Sequence, residues 1–428
     1  NLTSIQGNLS DGLLKALDKK SNKGGGGGSN GDPPNPEAYE YYLRGRYKED
    51  HRKNKSDIII SMDLYNKAIE IDNNLFLAKF GIAHSYYSLG EHKKSLQKFK
   101  DILKQAEDID NQIEIGHSLA SIGSTYAELG DYELAIKFSN QAIPIAKKNN
   151  DEKLIDRINQ DIGRVYWRKG SSDVAIKYFE KSLSFSKNIN DQRNISWILR
   201  QIGNCTLDIY HDIDKTLDYY KQSLAINKKL DMKHDQGSVL INMCNLYLET
   251  GDVYKALDYN QQSYHIHKDL DDKYMMTMNL SSFCAIYRFI GNKNKLFDYV
   301  KQTITNVKKY NYKLFYCDAM FDMGSIHFAK CEYQDSINYF KKSIKLQKEI
   351  KLDVKQSALD TAYLLLSYKY LNKKYEEKQI NNVIKTINNK DMYNFYELNF
   401  CLYSLLEDIS YLKDSYNKIN EMLNNLET

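Results

Sequence analysis

The chain is 428 residues long, 42% apolar and 27% charged, with 35 tyrosines, six cysteines and four prolines, so it can bury a sizeable core. Its 60 Lys+Arg against 56 Asp+Glu leave a formal charge of +4, too near balance to attract nucleic acid or an anionic membrane by a general field. No apolar run approaches the roughly 18 residues a membrane-crossing helix needs. The six cysteines are scattered without a CxxC pair and read as buried thiols of a reducing, cytoplasmic chain.

Residues 1–20 place Leu2, Ile5, Leu9, Leu13 and Leu17 at three- and four-residue steps, the single apolar stripe of an amphipathic helix. The chain begins at Asn1 with no Met and no basic-then-apolar leader, which reads as a piece of something longer without a secretion signal. Residues 21–36 form a linker: Gly24 to Gly28, Ser29, Asn30 and Gly31 lose too much backbone entropy to hold fixed structure. A native tether and an engineered joint both account for five successive glycines in a chain otherwise rich in Lys, Asn, Ile and Tyr. About twelve flexible residues reach on the order of 20 Å, which suits docking of the leading helix on the first repeat as a cap. The tether ends in Pro33, Pro34 and Pro36, with Asn35 placed to cap a helix that starts at Pro36.

From Glu37 a rhythm sets in. Ser95-Leu96, Ala135-Ile136, Ala175-Ile176, Thr216-Leu217, Ala256-Leu257, Leu296-Phe297 and Ser336-Ile337 follow at offsets of 40, 40, 41, 40, 40 and 40 residues. Five residues earlier stand Gly90, Gly130, Gly170, Gly251 and Gly291, with His211 and Cys331 in the two irregular copies. Each copy is therefore helix, tight turn, helix. Tyr86, Tyr126, Tyr166, Tyr247 and Tyr287 recur before the turn as packing residues, and Gly123, Gly163, Gly203 and Gly324 mark where two helices approach closely.

The order seen in Gly123, Tyr126, Gly130-Asp131-Tyr132, Ala135-Ile136, Phe138 and Ala142 resembles the tetratricopeptide repeat. The 40-residue period is similar to the lengthened repeats of kinesin light chains and Leu-Gly-Asn polarity adaptors. The front end, from Asn35-Pro36-Glu37-Ala38-Tyr39 to Arg44-Gly45-Arg46-Tyr47 and then Ala68-Ile69-Glu70-Ile71-Asp72, resembles the first repeat of such regions attached to bacterial nucleotide cyclases, winged-helix regulators and Ser/Thr kinases. That resemblance implies an effector domain in cis upstream of Asn1.

An all-α fold follows as the expectation: an α-solenoid of stacked helix pairs at 37–390, wound into a right-handed superhelix with a concave groove, closed by polar capping helices at 391–428. Nine to ten pairs fit between residues 37 and 428 at this period. A lone pair cannot bury its apolar faces, so each leans on its neighbours, and first helices line the inner wall.

Counting back from the turns puts Arg157, Gln160, Asp161, Arg164, Trp167 and Arg168 on that wall, then Trp197, Arg200, Gln201 and Asn204, then Asn242 and Asn245. Arg164, Asn204 and Asn245 stand at equivalent heights, a ladder able to hydrogen-bond the backbone of an extended peptide. The arginines would select carboxylates by forked contacts, and the two tryptophans would offer flat anchors. An ordinary solvated helix face carries the same residue types, and a Trp in a helix pair is often core.

Catalytic patterns are missing: GxxxxGK[ST], a GxGxxG that follows a strand, HExxH and GxSxG do not occur. His265 and His267, two apart on a helix, point to different faces and read as solvated rather than as a metal site. Cys205, Cys244 and Cys284 recur near one repeat apart and read as packing. Lysine pairs such as Lys147-Lys148 and Lys228-Lys229 sit at second-helix ends, where they complement the helix dipole. The expectation is a non-enzymatic scaffold that needs no cofactor or metal and binds a protein or peptide in its groove. No nucleic acid or membrane partner is implied.

Overall fold

A computed structural model describes residues 35–52, 55–210, 212–310, 312–350, 357–387 and 395–427; the 1–20 helix and most of the 21–36 linker lie outside them. Among the described residues there are twenty helices and no strand, and the fold is an all-α solenoid of helix pairs. The pairs are α1 (Pro36–Asp50) with α2 (Lys55–Ile71), α3 (Phe76–Ser88) with α4 (His92–Asp108), α5 (Gln112–Glu128) with α6 (Tyr132–Lys148), and α7 (Glu152–Arg168) with α8 (Ser172–Asn188). Then come α9 (Gln192–Tyr210) with α10 (Ile213–Lys229), α11 (Lys233–Thr250) with α12 (Val253–Asp269), and α13 (Lys273–Ile290) with α14 (Lys293–Tyr310). The last are α15 (Lys313–Ala329) with α16 (Tyr333–Glu349), α17 (Ala358–Tyr370) with α18 (Glu377–Ile387), and α19 (Phe395–Leu406) with α20 (Ile409–Glu427).

The chain divides into two compact units, Asn1–Asn194 with Asn204–His211, and Ile195–Gly203 with Asp212–Thr428, so α9 contributes to both. Within each unit a helix packs on its predecessor and successor, and first helices of adjoining pairs also touch: α5 with α7 in the first unit, and α13, α15, α17 and α19 in series in the second. That nearest-neighbour order is what incomplete pairs require.

Two kinds of turn alternate. Between the helices of a pair the chain passes through the left-handed region at Gly90, Gly130, Gly170, Gly251 and Gly291, with φ between 75° and 88°. At Gly130 the turn closes by Gly130 N donating to Ala127 O (3.2 Å) and Asp131 N to Tyr126 O (3.0 Å), which satisfies carbonyls left open at the end of α5. Cys331 takes the same role at φ 63° without being glycine, and it is the one exposed cysteine, not the buried thiol its composition suggests. His211 falls outside the described residues. Between pairs, Asp110, Asn150, Asn190, Asp231 and Asp271 are left-handed, at φ 50–56°. Helices after both kinds of turn are capped by side chains: after Gly130, Asp131 Oδ1 accepts from Leu134 N, and after Asn150, Asp151 Oδ1 accepts from Leu154 N. Asn35 caps α1 by accepting from the Glu37 and Ala38 amides.

Aromatic packing holds each pair. The recurrent tyrosines stack on a partner twelve residues on: Tyr126 on Phe138, Tyr166 on Tyr178, Tyr247 on Tyr259 and Tyr287 on Tyr299, with centroids 5.4–5.8 Å apart. Where α7 meets α8, α9 meets α10 and α15 meets α16, a glycine receives a ring: Gly163 faces Phe179, Gly203 faces Tyr220 and Gly324 faces Phe340. Burial drives Cys205 and Cys244 up to about 12, so both stay thiols packed in the core.

The C-terminal pair belongs to the second unit, where α20 also touches α11 and Tyr396 meets Phe289 edge-on at 6.1 Å. Phe400, Ile409 and Tyr416 of this pair are each more than half exposed. Among the described residues no helix is long and apolar enough to cross a membrane.

Candidate functional site

In the first unit the wall of first helices carries a continuous polar strip. Glu128 at the end of α5 accepts from Arg168 Nη1 (3.1 Å) and lies 3.8 Å from Arg164 Nη1. Arg164 Nη2 also donates to Asp161 Oδ1 at 2.5 Å, one turn earlier on α7. Burial pushes the Glu128 carboxyl up, but the hydrogen bond and charge of Arg168 and the charge of Arg164 outweigh it and hold it below its ordinary value. The expected forks of Arg164 and Arg168 toward a partner carboxylate are therefore already occupied from within.

Arg157 differs. One helical turn below Asp161, it has no carboxylate within 4.0 Å among the described residues, and its contact is Nη2 donating to Ser121 Oγ at 3.4 Å. Burial pushes its pKa down, and it stands near His84 and His117, both held neutral first by burial and then by the Arg157 charge; His84 reaches about 4. His117 Nε2 in turn lies 3.1 Å from Asp151 Oδ2.

Trp167 is neither core nor a free platform. Half-buried, it donates from Nε1 to Asp208 Oδ2 (2.7 Å) on α9, and Asp208 also accepts from Ser172 Oγ (3.1 Å). Asn204 belongs to this unit and is half-buried.

The second unit holds Trp197, Arg200, Asn242 and Asn245. Trp197 and Asn242 are half-buried and Asn245 is exposed. Arg200 is half-buried and makes no hydrogen bond or ion pair among the described residues; burial pushes its pKa down, against the charge of Asp235 and Tyr220. Gln201 is buried, with Nε2 3.5 Å from Trp197 O.

The second unit also carries an acidic set that the repeat count did not single out. Asp318 and Asp322 lie one turn apart on α15, Asp360 on α17 and Glu397 on α19. Arg288 Nη1 donates to Asp322 Oδ1 at 2.7 Å, Ser281 Oγ to Asp318 Oδ2 at 3.3 Å, and Tyr363 OH to Glu397 Oε1 at 2.7 Å. Burial pushes Asp360 up to about 7, and Asp318, exposed on its helix face, is pushed up to about 6 by the desolvation of surrounding protein and then by the like charge of Asp322. The four-residue spacing of Asp318 and Asp322 was the available signal.

His265 is exposed as a solvated histidine should be, but His267 is wholly buried, which overturns the reading of both as solvated. His267 lies in the last turn of α12 against Gly237, where a Cβ would run into its Nε2.

Residues 74–148 and 156–189 match the tetratricopeptide repeat. Among solved structures the chain is similar to the apo form of the quorum sensor NprR from B. thuringiensis, at 12% identity and a TM-score of 0.59, covering 82% of this chain and 98% of that one. A Rap protein complexed with competence and sporulation factor is similar at 14% identity and TM-score 0.56, covering 82% and 96%. PH0952 from Pyrococcus horikoshii, a signal transduction ATPase with a tetratricopeptide repeat sensor, is similar at 17% and 0.55, covering 74% of this chain and 54% of that one. At such identities the likeness concerns the fold. Comparison with curated proteins finds no match.

Proposed function

We propose that this chain, a tetratricopeptide-repeat protein, binds an extended, acidic segment of a partner protein along the first-helix face of its repeats. One observation carries the reading: Arg157 on α7 is half-buried with a single long contact to Ser121 and no carboxylate within 4.0 Å among the described residues, Asp161 and Asp151 acting on it only from a distance. A buried guanidinium without a counter-ion costs free energy, whereas one that receives a carboxylate forms a forked, charge-assisted pair. Arg200 supports the same reading in the second unit. Arg164 and Arg168, tied to Glu128 and Asp161, would shape the face rather than grip the ligand. Trp167, Trp197, Asn204, Asn242 and Asn245 stay in the proposal as the apolar anchors and amides along the ligand backbone.

That a Rap protein of the same fold is complexed with a named factor favours a binding role. The test is retention of peptide arrays, with and without Asp or Glu, by the wild type and by Arg157→Gln. Acidic peptides should be held by the wild type and at least about ten-fold more weakly by the variant. Equal retention by both, with helicity intact, overturns the proposal.

A regulatory role in cis is the second reading. It is favoured by the front-end resemblance at Asn35 to Tyr47 and by a similar structure in which such repeats are the sensor of a signal transduction ATPase. The gene sequence upstream of Asn1 decides it.

A further inference from the structure

We propose that His234, His267 and Asp272 bind one divalent transition-metal ion of the zinc class. Three successive helices deliver the ligands to one end of the stack within the second unit: His234 from the first turn of α11, His267 from the last turn of α12, and Asp272 from the cap of α13. One ligand atom of each lies within 4.8 Å of the other two. His234 Nε2 and Asp272 Oδ2 are 3.2 Å apart, close to the roughly 3.3 Å edge of a tetrahedron built on bonds of about 2.0 Å.

The buried histidine separates this cluster from a surface ion pair. His267 is 0% exposed, and neither ring nitrogen has a hydrogen bond of good geometry; the backbone of Gly237 is the one polar group acting on the ring, which leaves the other nitrogen for a ligand role. Buried polar groups are rarely left so. One repeat earlier, the equivalent slot holds Asn227, which accepts from Ser196 Oγ at 2.5 Å, so that polar pair satisfies itself. At His267 the facing residue is Gly237, which brings no side chain, and the imidazole is left with an unused lone pair beside His234 and Asp272.

The surroundings suit a ligand role. Asp272 Oδ1 accepts from Met275 N at 3.0 Å, which fixes the carboxylate and leaves Oδ2 to the site, as outer contacts do for metal ligands. His234 is 58% exposed in its side chain, so an ion can enter and water can complete the coordination. Two imidazole nitrogens and one carboxylate oxygen favour zinc, cobalt, nickel or copper over calcium or magnesium. Of the charges that face His234 besides Asp272, Asp235 favours a cation there and Arg200 opposes it, the carboxylate having the larger effect. The ion takes the place of the proton between His234 Nε2 and Asp272; an imidazolium releases that proton on binding, whereas a neutral imidazole carries it on Nδ1 instead. A second grouping, His327, Glu332 and Asp335, lacks a buried, unused nitrogen, since His327 Nδ1 already meets Glu332 at 2.6 Å.

The test titrates the full chain with Zn²⁺ by calorimetry and with Co²⁺ by visible absorption, for the wild type, His234→Ala, Asp272→Asn and His327→Ala. Asn caps a helix as well as Asp does, so Asp272→Asn removes the charged ligand and keeps the fold. The wild type and His327→Ala should bind one ion per chain with the intense absorption of low-coordinate Co²⁺, and a Zn²⁺-dependent rise in melting temperature. His234→Ala and Asp272→Asn should each lose at least about ten-fold in affinity. Absence of saturable binding, binding unchanged in those two variants, or binding lost in His327→Ala overturns the assignment.

Discussion

Gly163 of α7 and Phe179 of α8 meet so closely that a Cβ on the glycine would stand 2.8 Å from the phenyl Cε1. Phe179 is itself 1% exposed, so the ring has nowhere to retreat. Gly163→Ala should therefore lower unfolding free energy by about 1–3 kcal/mol through overpacking, read from chemical denaturation. Gly130→Ala meets no atom within 4 Å but must hold φ near +82°, so its cost, about 1 kcal/mol, arises in the backbone. If Gly163→Ala is neutral, the two helices slide more freely than this packing allows.

Asp151 caps α7 at 2.9 Å and lies 3.1 Å from His117 Nε2. Asp151→Ala removes both contacts and should cost about 1 kcal/mol, most of it the cap. Asp151→Asn should recover most of the loss in the same denaturation assay; failure to recover it would give the larger share to the histidine.

Asp360 is 4% exposed; Oδ2 accepts from Gln347 Nε2 at 3.1 Å and Oδ1 has no partner. Burial raises its pKa from 3.8 to about 7, so the folded state holds the proton more tightly than the unfolded one. That contribution to stability is complete below pH 4 and is lost as the pH climbs through 7. Asp360→Asn should be more stable than wild type at pH 8, by on the order of 3 kcal/mol, and its stability should vary less with pH. Parallel pH profiles for the two proteins would contradict this.

Trp167 donates to Asp208 across to the next pair at 2.7 Å. Asp208→Ala should free the indole, shift its emission to longer wavelength and cost about 1 kcal/mol. With only two tryptophans in the chain, Trp167→Phe assigns the signal. An unchanged spectrum would mean that the hydrogen bond does not set the ring's environment.

The amide positions make a separate prediction about binding. Asn204→Ala combined with Asn245→Ala should weaken capture of an extended partner segment, read by titration calorimetry, with helicity unchanged. Equal affinity would remove both amides from the proposed face.

The repeat itself was legible because backbone chemistry recurs: a left-handed turn needs glycine, and the spacing of Gly90, Gly130 and Gly170 exposes it. The second turn was overlooked although Asp110, Asn150, Asn190, Asp231 and Asp271 keep the same period, since Asp and Asn also serve as solvated surface and do not stand out. Wall positions were found by counting, but charge pairing was not, because whether Arg164 is spent on Glu128 depends on reach between neighbouring helices. His267 was misread for a related reason. Its burial is decided by the absence of a side chain at Gly237, thirty residues earlier, and no pattern local to α12 reports that.

The touch between α20 and α11 bypasses every pair that lies between them in the second unit. A stack with neighbours only can fray inward from its tip, one pair at a time. A latch that joins its last helix to an early one ties the intervening pairs to a common fate, so amide protons across that unit should exchange together, as one cooperative block, while those of the first unit are free to open in steps.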